Sequence, residues 1–369
     1  MSLASILRRR FAAPLFVILA LSVAPVHAQH VSLGSDLNLV FNGGIQPRVS
    51  VGIEDAGGED AIRYGAGLRR ARIQARVLYR DVAGVEYDVE GGSGTIQSVD
   101  LFAFANFSER VQARVGYFPG AQPRGAIATP YFLIDAVDRA AIAERWLGRT
   151  LGGDGRDLGL DVTYTGERTQ LSLWLHNGAG TFDPRVGNYR EGISSSDVVN
   201  GPETVGAAVS AAAIVMVGGG VEIGAFGGFN GAESARTARA SEAGRSYATG
   251  GAHVYWGAVP GSQPLRFKLD ALGIRYEDDG AGAQEVVGVS AFGAARVLEA
   301  GEVFARAERF WADLDGEGDN YLTAGLSYSL SAARGGPYER VRLTLGYQLR
   351  DGAALPDAHL VILQGQIAF

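Results

Sequence analysis

The chain has 369 residues, no cysteine, 53 glycines and a formal net charge of −7. The absence of cysteine excludes disulfides and thiolate metal sites, whatever compartment receives the protein. Past the N-terminal segment no run of about 18 apolar residues occurs, so a membrane-spanning helix is excluded as well.

The first 28 residues read as a secretory signal. Arg8, Arg9 and Arg10 precede an apolar run from Phe11 to Ala24, and Val26-His27-Ala28 fits a small-x-small cleavage rule. Cleavage there takes three arginines and no acid, which leaves 341 residues with a net charge of −10. No linker or low-complexity tract divides residues 29–369, so one domain is expected.

Short segments of alternating polarity recur along that domain. In a bilayer only helices and closed barrels satisfy every backbone polar group internally. The expectation is an all-β, transmembrane antiparallel barrel of about 16 strands, at roughly 20 residues per strand and connection. The alternation places strands at 45–54, 65–79, 83–91, 97–107, 110–118, 157–164, 169–178, 204–215, 219–229, 247–258, 265–276, 285–297, 302–311, 321–330, 341–350 and 359–369. The connections alternate in length. Short ones fall near Arg80-Asp81, Ser108-Glu109, Thr165-Gly166, Met216-Val217, Pro260-Gly261, Leu298-Glu299 and Ala333-Arg334. Longer ones fall at about 55–64, 92–96, 119–156, 179–203, 230–246, 277–284, 312–320 and 351–358. Short periplasmic turns and longer outer loops are the pattern of outer-membrane barrels.

The two faces of each strand differ. In the second, Ala71, Ile73, Ala75, Val77 and Tyr79 oppose Arg70, Arg72, Gln74 and Arg76; in the third, Val85, Tyr87 and Val89 oppose Glu86, Asp88 and Glu90. A charge facing lipid at mid-depth costs about 2–4 kcal/mol, so the charged faces must point inward. By this register Arg70, Arg72, Arg76, Arg114, Arg266, Lys268, Arg306 and Arg342 are interior, as are Glu86, Asp88, Glu90, Asp100, Asp161, Asp270 and Glu308. Tyr79, Phe107, Tyr117, Tyr164 and Tyr347 sit near strand ends on the apolar face, where interfacial aromatic girdles form. Residues 204–229 are rich in alanine and glycine on both faces, which suits either a subunit contact or a weak stretch of wall.

The connection from Pro119 to Arg156 is the longest. Its stretch from Asp135 to Leu147 is helix-like, with Asp135 and Asp138 early and Arg139, Glu144 and Arg145 following. Loops of this length without their own structure are usually functional or disordered. A structured third outer loop is expected to fold into the lumen and narrow it.

Arg69-Arg70-Ala71-Arg72-Ile73 resembles the arginine-rich second strand of the phosphate-selective porin O/P family. Arg114-Val115-Gly116-Tyr117-Phe118-Pro119 resembles the entry to that family's third loop, and Glu144-Arg145 with Gly155-Arg156-Asp157-Leu158-Gly159-Leu160 resembles its exit. The likeness covers mainly residues 60–165. It implies a sixteen-stranded homotrimeric channel with an arginine ladder along the pore. Lys268 is the single lysine of the chain, however, where phosphate-selective members carry lysine clusters, and the interior charges are nearly balanced.

An enzyme is the competing class. His30, His176, His253 and His359 remain after the signal, no serine sits in a G-x-S-x-G elbow, and no phosphate loop exists. Asp313 to Asp319 spaces carboxylates at alternate positions with glycine sixth, the first half of a calcium loop, but position twelve is Ala324 rather than a bidentate acid. The chain ends on an alternating strand closed by Phe369, the assembly signature of outer-membrane barrels. The expected function is passive diffusion of small hydrophilic solutes and ions, with at most a modest anion preference. Arg70, Arg72, Arg76, Arg114, Glu86, Asp88, Asp100 and Lys268 would line the path, and the third loop would constrict it. Outer-membrane lipid, small solutes and anions are the expected partners; no cofactor, metal or nucleic acid is expected.

Overall fold

A computed structural model describes residues 29–55, 60–92, 94–150, 155–176, 208–230, 245–278, 282–352 and 357–369. The signal segment and most of the long connections at 179–203 and 230–246 lie outside the described residues. The strands are β1 (Gln29–Ser32), β2 (Leu37–Asp55), β3 (Asp60–Tyr79), β4 (Ala83–Glu90), β5 (Gln97–Asn106), β6 (Val111–Phe118), β7 (Asp157–Thr165), β8 (Thr169–His176), β9 (Ala208–Gly218) and β10 (Val221–Asn230). They continue as β11 (Arg245–Trp256), β12 (Leu265–Asp278), β13 (Gly282–Leu298), β14 (Gly301–Trp311), β15 (Asp319–Ser329), β16 (Val341–Asp351) and β17 (Ala358–Ala368). One helix, α1 (Ala141–Thr150), lies between β6 and β7.

From β2 onward each strand pairs antiparallel with the next, and β17 returns to β2, so sixteen strands close into a barrel. Closure removes the sheet edge that lipid could not tolerate. Phe369 completes it. Its N–H donates to Gly43 O at 2.9 Å and its carbonyl accepts from Gly43 N at 3.0 Å. Its ring covers Gly43 on the outer face, where any side chain would collide with it.

Two features differ from the sequence expectation, the first of them at this seam. β2 begins at Leu37 rather than 45, because both its edges are paired: β3 runs along one, and β1 and then β17 share the other. Asn42-Gly43-Gly44 reads locally as a breaker, and the long-range ladder overrides it. The connection after β15 is also no tight turn. Residues 330–340 carry a 3-10 helix at Ala332–Arg334, and the Tyr338 hydroxyl pairs with Ser327 Oγ at 2.7 Å inside the barrel.

The outer face is apolar. Ile73, Val77, Val85, Leu101, Val115, Leu160, Leu173, Leu269, Leu345 and Val361 all present exposed side chains there, while Glu86, Asp161, Arg266 and Arg306 are buried inside. Tyr79, Phe107, Tyr164 and Tyr347 are exposed on the outer face, but Tyr117 is buried. Gly116 adopts φ +138°, a conformation that glycine tolerates, and strict alternation is lost at that point.

A β-bulge sets the parity of β3. Gln46 pairs with Arg70 and Pro47 with Leu68, so Arg69 is the extra residue. Pro47 has no N–H to give the ladder, and bulges are where a strand accommodates that. The bulge keeps Ile62, Tyr64 and Leu68 on the outer face above it and Ile73 and Val77 on the same face below it. It also leaves Arg69 and Arg70 facing the interior together.

The interior is not uniformly polar. Trp146 and Ile142 of α1 pack with Phe226, Leu272, Ile274 and Val286 of the inner wall. Gly288 makes room for Ile142, since any side chain there would overlap it. One half of the barrel is thus filled by the third loop on an apolar bed.

The wall register predicts an asymmetric response to charge. Val115→Arg should lower stability in lipid vesicles by about 2–4 kcal/mol, and the inward Gln112→Arg should cost less than about 1 kcal/mol. Urea unfolding of the two variants checks this, and equal losses would contradict the register.

Candidate functional site

The third loop descends into the barrel and meets the wall at β2–β3 and at β12. Two aspartates hold it there. Asp138 accepts two bonds from Arg48, at 3.0 and 2.9 Å, and a third from Arg69 at 3.1 Å. Asp135 accepts from Lys268 Nζ at 2.6 Å and from Arg266, which also pairs with Glu302 at 3.0 Å. The backbone follows. Arg48 donates to Val137 O, Arg306 to Asp138 O and Arg342 to Ile134 O, each at 2.7 Å.

The helix starts late for the same reason. The sequence expectation ran it from Asp135; it begins at Ala141, where no local side chain caps it. The carboxylate of Glu308 on β14 accepts from Ala141 N at 2.6 Å, so the wall supplies the cap.

Burial alone would raise the Asp135 carboxyl, but Lys268 and Arg266 outweigh it and hold it below the ordinary 3.8. Arg48 and Arg69 do the same for Asp138. Burial, with Arg70 close by, pulls the Arg139 guanidinium down to about 9, still cationic at pH 7. Burial lifts the Tyr131 phenol to about 12.

The space the loop leaves is a cavity of about 710 Å³ against β2–β5. It runs from Arg69 and Glu144 at the level of the loop to Glu339, Arg340 and Phe369 at the short-turn end. A second volume of about 180 Å³ shares Glu86, Asp100 and Pro119 with it and adds Arg76 and Arg114.

The expected site residues are distributed as follows. Arg70, Arg72, Glu86, Asp88 and Asp100 border the larger cavity, with Arg139 and Glu144 of the loop. Arg76 and Arg114 border the smaller one. Lys268 does not reach the gap; it lies behind the loop, against Asp135, and its ammonium is 4.9 Å from the Tyr255 ring. Asp135 and Asp138 face the wall as anchors, and Arg145 points to the Tyr276 hydroxyl at 3.4 Å.

Most charges along the gap are paired. The register sets Arg72 opposite Glu90 and Arg76 opposite Glu86, and both pairs form ion pairs, the first at 3.1 Å. Arg114 pairs with Asp161 at 3.0 Å and Arg156 with Asp100 at 2.6 Å. Four contributors escaped sequence reasoning: Arg48, Arg69, Tyr131 and Arg156. Arg69 was legible only through the Pro47 bulge. Arg156 stood in the loop-exit motif, with no signal that it would return to Asp100.

His176 has a different setting. Its Nδ1 is 2.8 Å from Asp157 and its Nε2 3.2 Å from Ser210 Oγ, with Trp174 stacked at 3.9 Å. The order of contacts is that of a hydrolytic triad. All three groups are buried, however, and Ser210 Oγ lies against Gly228, so the chain serves as a strut between β7, β8 and β9. Among the described residues, no group of three or more His, Asp or Glu side chains could hold a metal ion. In the acidic segment Asp313 instead caps its own turn, accepting from Asp315 N at 3.2 Å.

No protein-family model matches the chain, and no curated protein does. Solved structures do. The anion-selective porin from Comamonas acidovorans is similar at TM-score 0.64 and 12% identity, over 90% of this chain and 100% of that one. A loop-deletion form of OmpT, an outer membrane protein of Vibrio cholerae, gives 0.63 and 12%, over 91% and 100%. OmpF of Salmonella typhi, solved with daunomycin, gives 0.59 and 9%, over 92% and 100%. At these identities the likeness carries the fold. It is a closed antiparallel barrel of sixteen strands, the fold of these outer-membrane proteins.

The aspartate anchors have a defined pH range. Both carboxyls sit below 3.8 in the folded barrel, so their stabilisation is complete above that value and is lost as pH falls through the lower folded values. Resistance of the loop to proteolysis should be constant from pH 7 to about 4 and fall below it. Asp135→Ala should strip resistance at every pH, since breaking a buried pair costs about 3–5 kcal/mol.

Proposed function

We propose that the protein forms a water-filled channel for passive diffusion of small hydrophilic solutes and ions across the outer membrane. The observation that carries this reading is the gap between the third loop and β2–β5, bordered by both signs of charge and extending to the short-turn end of the barrel. Arg70, Arg72, Arg76 and Arg114 supply its positive wall; Glu86, Asp88 and Asp100 keep the field from becoming one-signed. Rings of one sign set ion preference, and a mixture weakens it. The anion preference is therefore modest.

A dedicated anion channel is the second reading. It draws on the likeness of residues 60–165 to the phosphate-selective porin O/P family and on Arg139, which borders the same cavity as the arginines of β3. A homotrimer belongs to both readings. Its support is that likeness, with Ala211, Ala213, Ala225 and Gly227 as a small-residue stretch of β9 and β10.

Reversal potentials in a salt gradient across planar bilayers, with and without phosphate, separate the two. The general channel gives weak anion selectivity without saturable phosphate block. Replacing Arg70, Arg72 and Arg76 together by Ala should move the reversal potential toward cations, and an unchanged potential would remove β3 from the conducting path. Deleting residues 126–150 should raise single-channel conductance, provided the barrel still folds.

A further inference from the structure

The closing seam of the barrel has a break in it. Between β17 and β2 the ladder runs from Ala358–Glu54 to Gln364–Arg48 and resumes at Ile367–Ile45. Gly365 and Gln366, opposite Pro47 and Gln46, form no ladder pair across the seam. Pro47 has no N–H to donate, so the sequence itself writes the interruption. Side chains fill it from inside. Gln46 Nε2 donates to Gln366 Oε1 at 2.8 Å, and two residues on Arg48 donates to Gln364 Oε1 at 2.7 and 3.0 Å. All three glutamines are buried.

The third loop lies across this point, and its residues 131–138 bond to both sides. On β2, Gln46 Nε2 also donates to Tyr131 O at 3.3 Å, and Arg48 donates to Val137 O at 2.7 Å and pairs with Asp138. On β17, Gln366 Nε2 donates to Phe132 O at 3.0 Å and also to Glu339 O, in the connection before β16. On β16, one strand further round, Arg342 donates to Ile134 O at 2.7 Å. Gly44 makes room for the Tyr131 hydroxyl, which any side chain there would strike. Neighbouring strands elsewhere in the barrel are consecutive in the chain and are joined by a connection. β2 and β17 are not, so only the ladder and what lies across it hold them together. Tyr131 is 85 residues from Gln46, and Phe132 is 234 from Gln366. Contacts this distant carry a large closure entropy, which several bonds made together offset better than a broken ladder alone.

We propose that residues 131–138 are a strap that fastens the closing seam, so that the barrel closes stably only with its third loop already inside. Seam closure and narrowing of the lumen are then one event. A barrel whose loop stayed outside would keep an open ladder at Pro47 and leave the buried amides of Gln46 and Gln366 short of acceptors, which is costly. The wide, unobstructed form is thereby disfavoured during assembly.

The test is amide hydrogen exchange of the barrel folded in lipid vesicles, read by mass spectrometry. Deleting residues 131–138 should speed exchange about tenfold at 45–54 and 358–369, the factor by which losing one buried hydrogen bond eases local opening. β5 and β6, which make no hydrogen bond to the strap, should keep their rates. Gln46→Ala combined with Gln366→Ala should give the same localised rise. If the deletion does not fold, a disulfide across the seam, Val51→Cys with Val361→Cys, should restore folding. One between β3 and β4, Val77→Cys with Val85→Cys, should not. The chain has no cysteine of its own to compete. Unchanged exchange at the seam after the deletion, or a rise spread evenly round the barrel, would overturn the proposal. So would a deletion that both disulfides rescue, or that neither does. None of these readouts depends on conduction, so their failure leaves the channel reading untouched.

Discussion

Asp135 and Asp138 fix where everything else in the barrel lies. They sit three residues apart on the descending loop, and each meets two cations of the wall: Lys268 and Arg266 of β12 for one, Arg48 of β2 and Arg69 of β3 for the other. Buried ions of this kind are held only when their partners saturate them. Here the carboxylates and the backbone carbonyls around them take up the wall cations one after another. The loop cannot shift by a residue without exposing several at once. Its side chains then settle on the apolar bed of β10–β13, and the space left over falls against β2–β5.

The composition of that space follows from pairing rather than from the number of charges. β3 contributes arginines at every second position and β4 contributes acids in the same rhythm, so antiparallel register sets Arg72 against Glu90 and Arg76 against Glu86. Such cross-strand pairs stiffen the wall and reduce the field each arginine casts into the gap. The charges outside those pairs are the remainder along the gap, which the bulge at Arg69 and the incoming Arg139 have changed. A bulge beside a functional gap is a common way to re-aim one side chain without disturbing the sheet. In this barrel it also keeps Ile62, Tyr64 and Leu68 toward lipid.

A weakly attracting gap suits passive transport, because a solute must leave as readily as it enters. The tight pairs are structural, set apart from the few charges left over along the gap. The buried Asp157–His176–Ser210 chain shows the same division. Its chemistry resembles a catalytic array, yet it is closed off within the wall, and its work is to hold the exit of the third loop against β8 and β9.

The sequence by itself determined the architecture. Period-two alternation and short and long connections in turn specify about sixteen antiparallel strands with charges inside, because lipid permits no other arrangement of those faces. Local pattern also marked the long loop and the charged rows of β3 and β4. It did not reach what depends on contacts distant in the chain. The start of β2 came from ladder partners on both edges, the start of α1 from Glu308 on β14, and the inward turn of Arg69 from Pro47 across the seam. Lys268 read as a pore residue because its strand parity is inward. Only the fold decided that the loop would cover it, since inward parity names the side of a wall and not what lies against it.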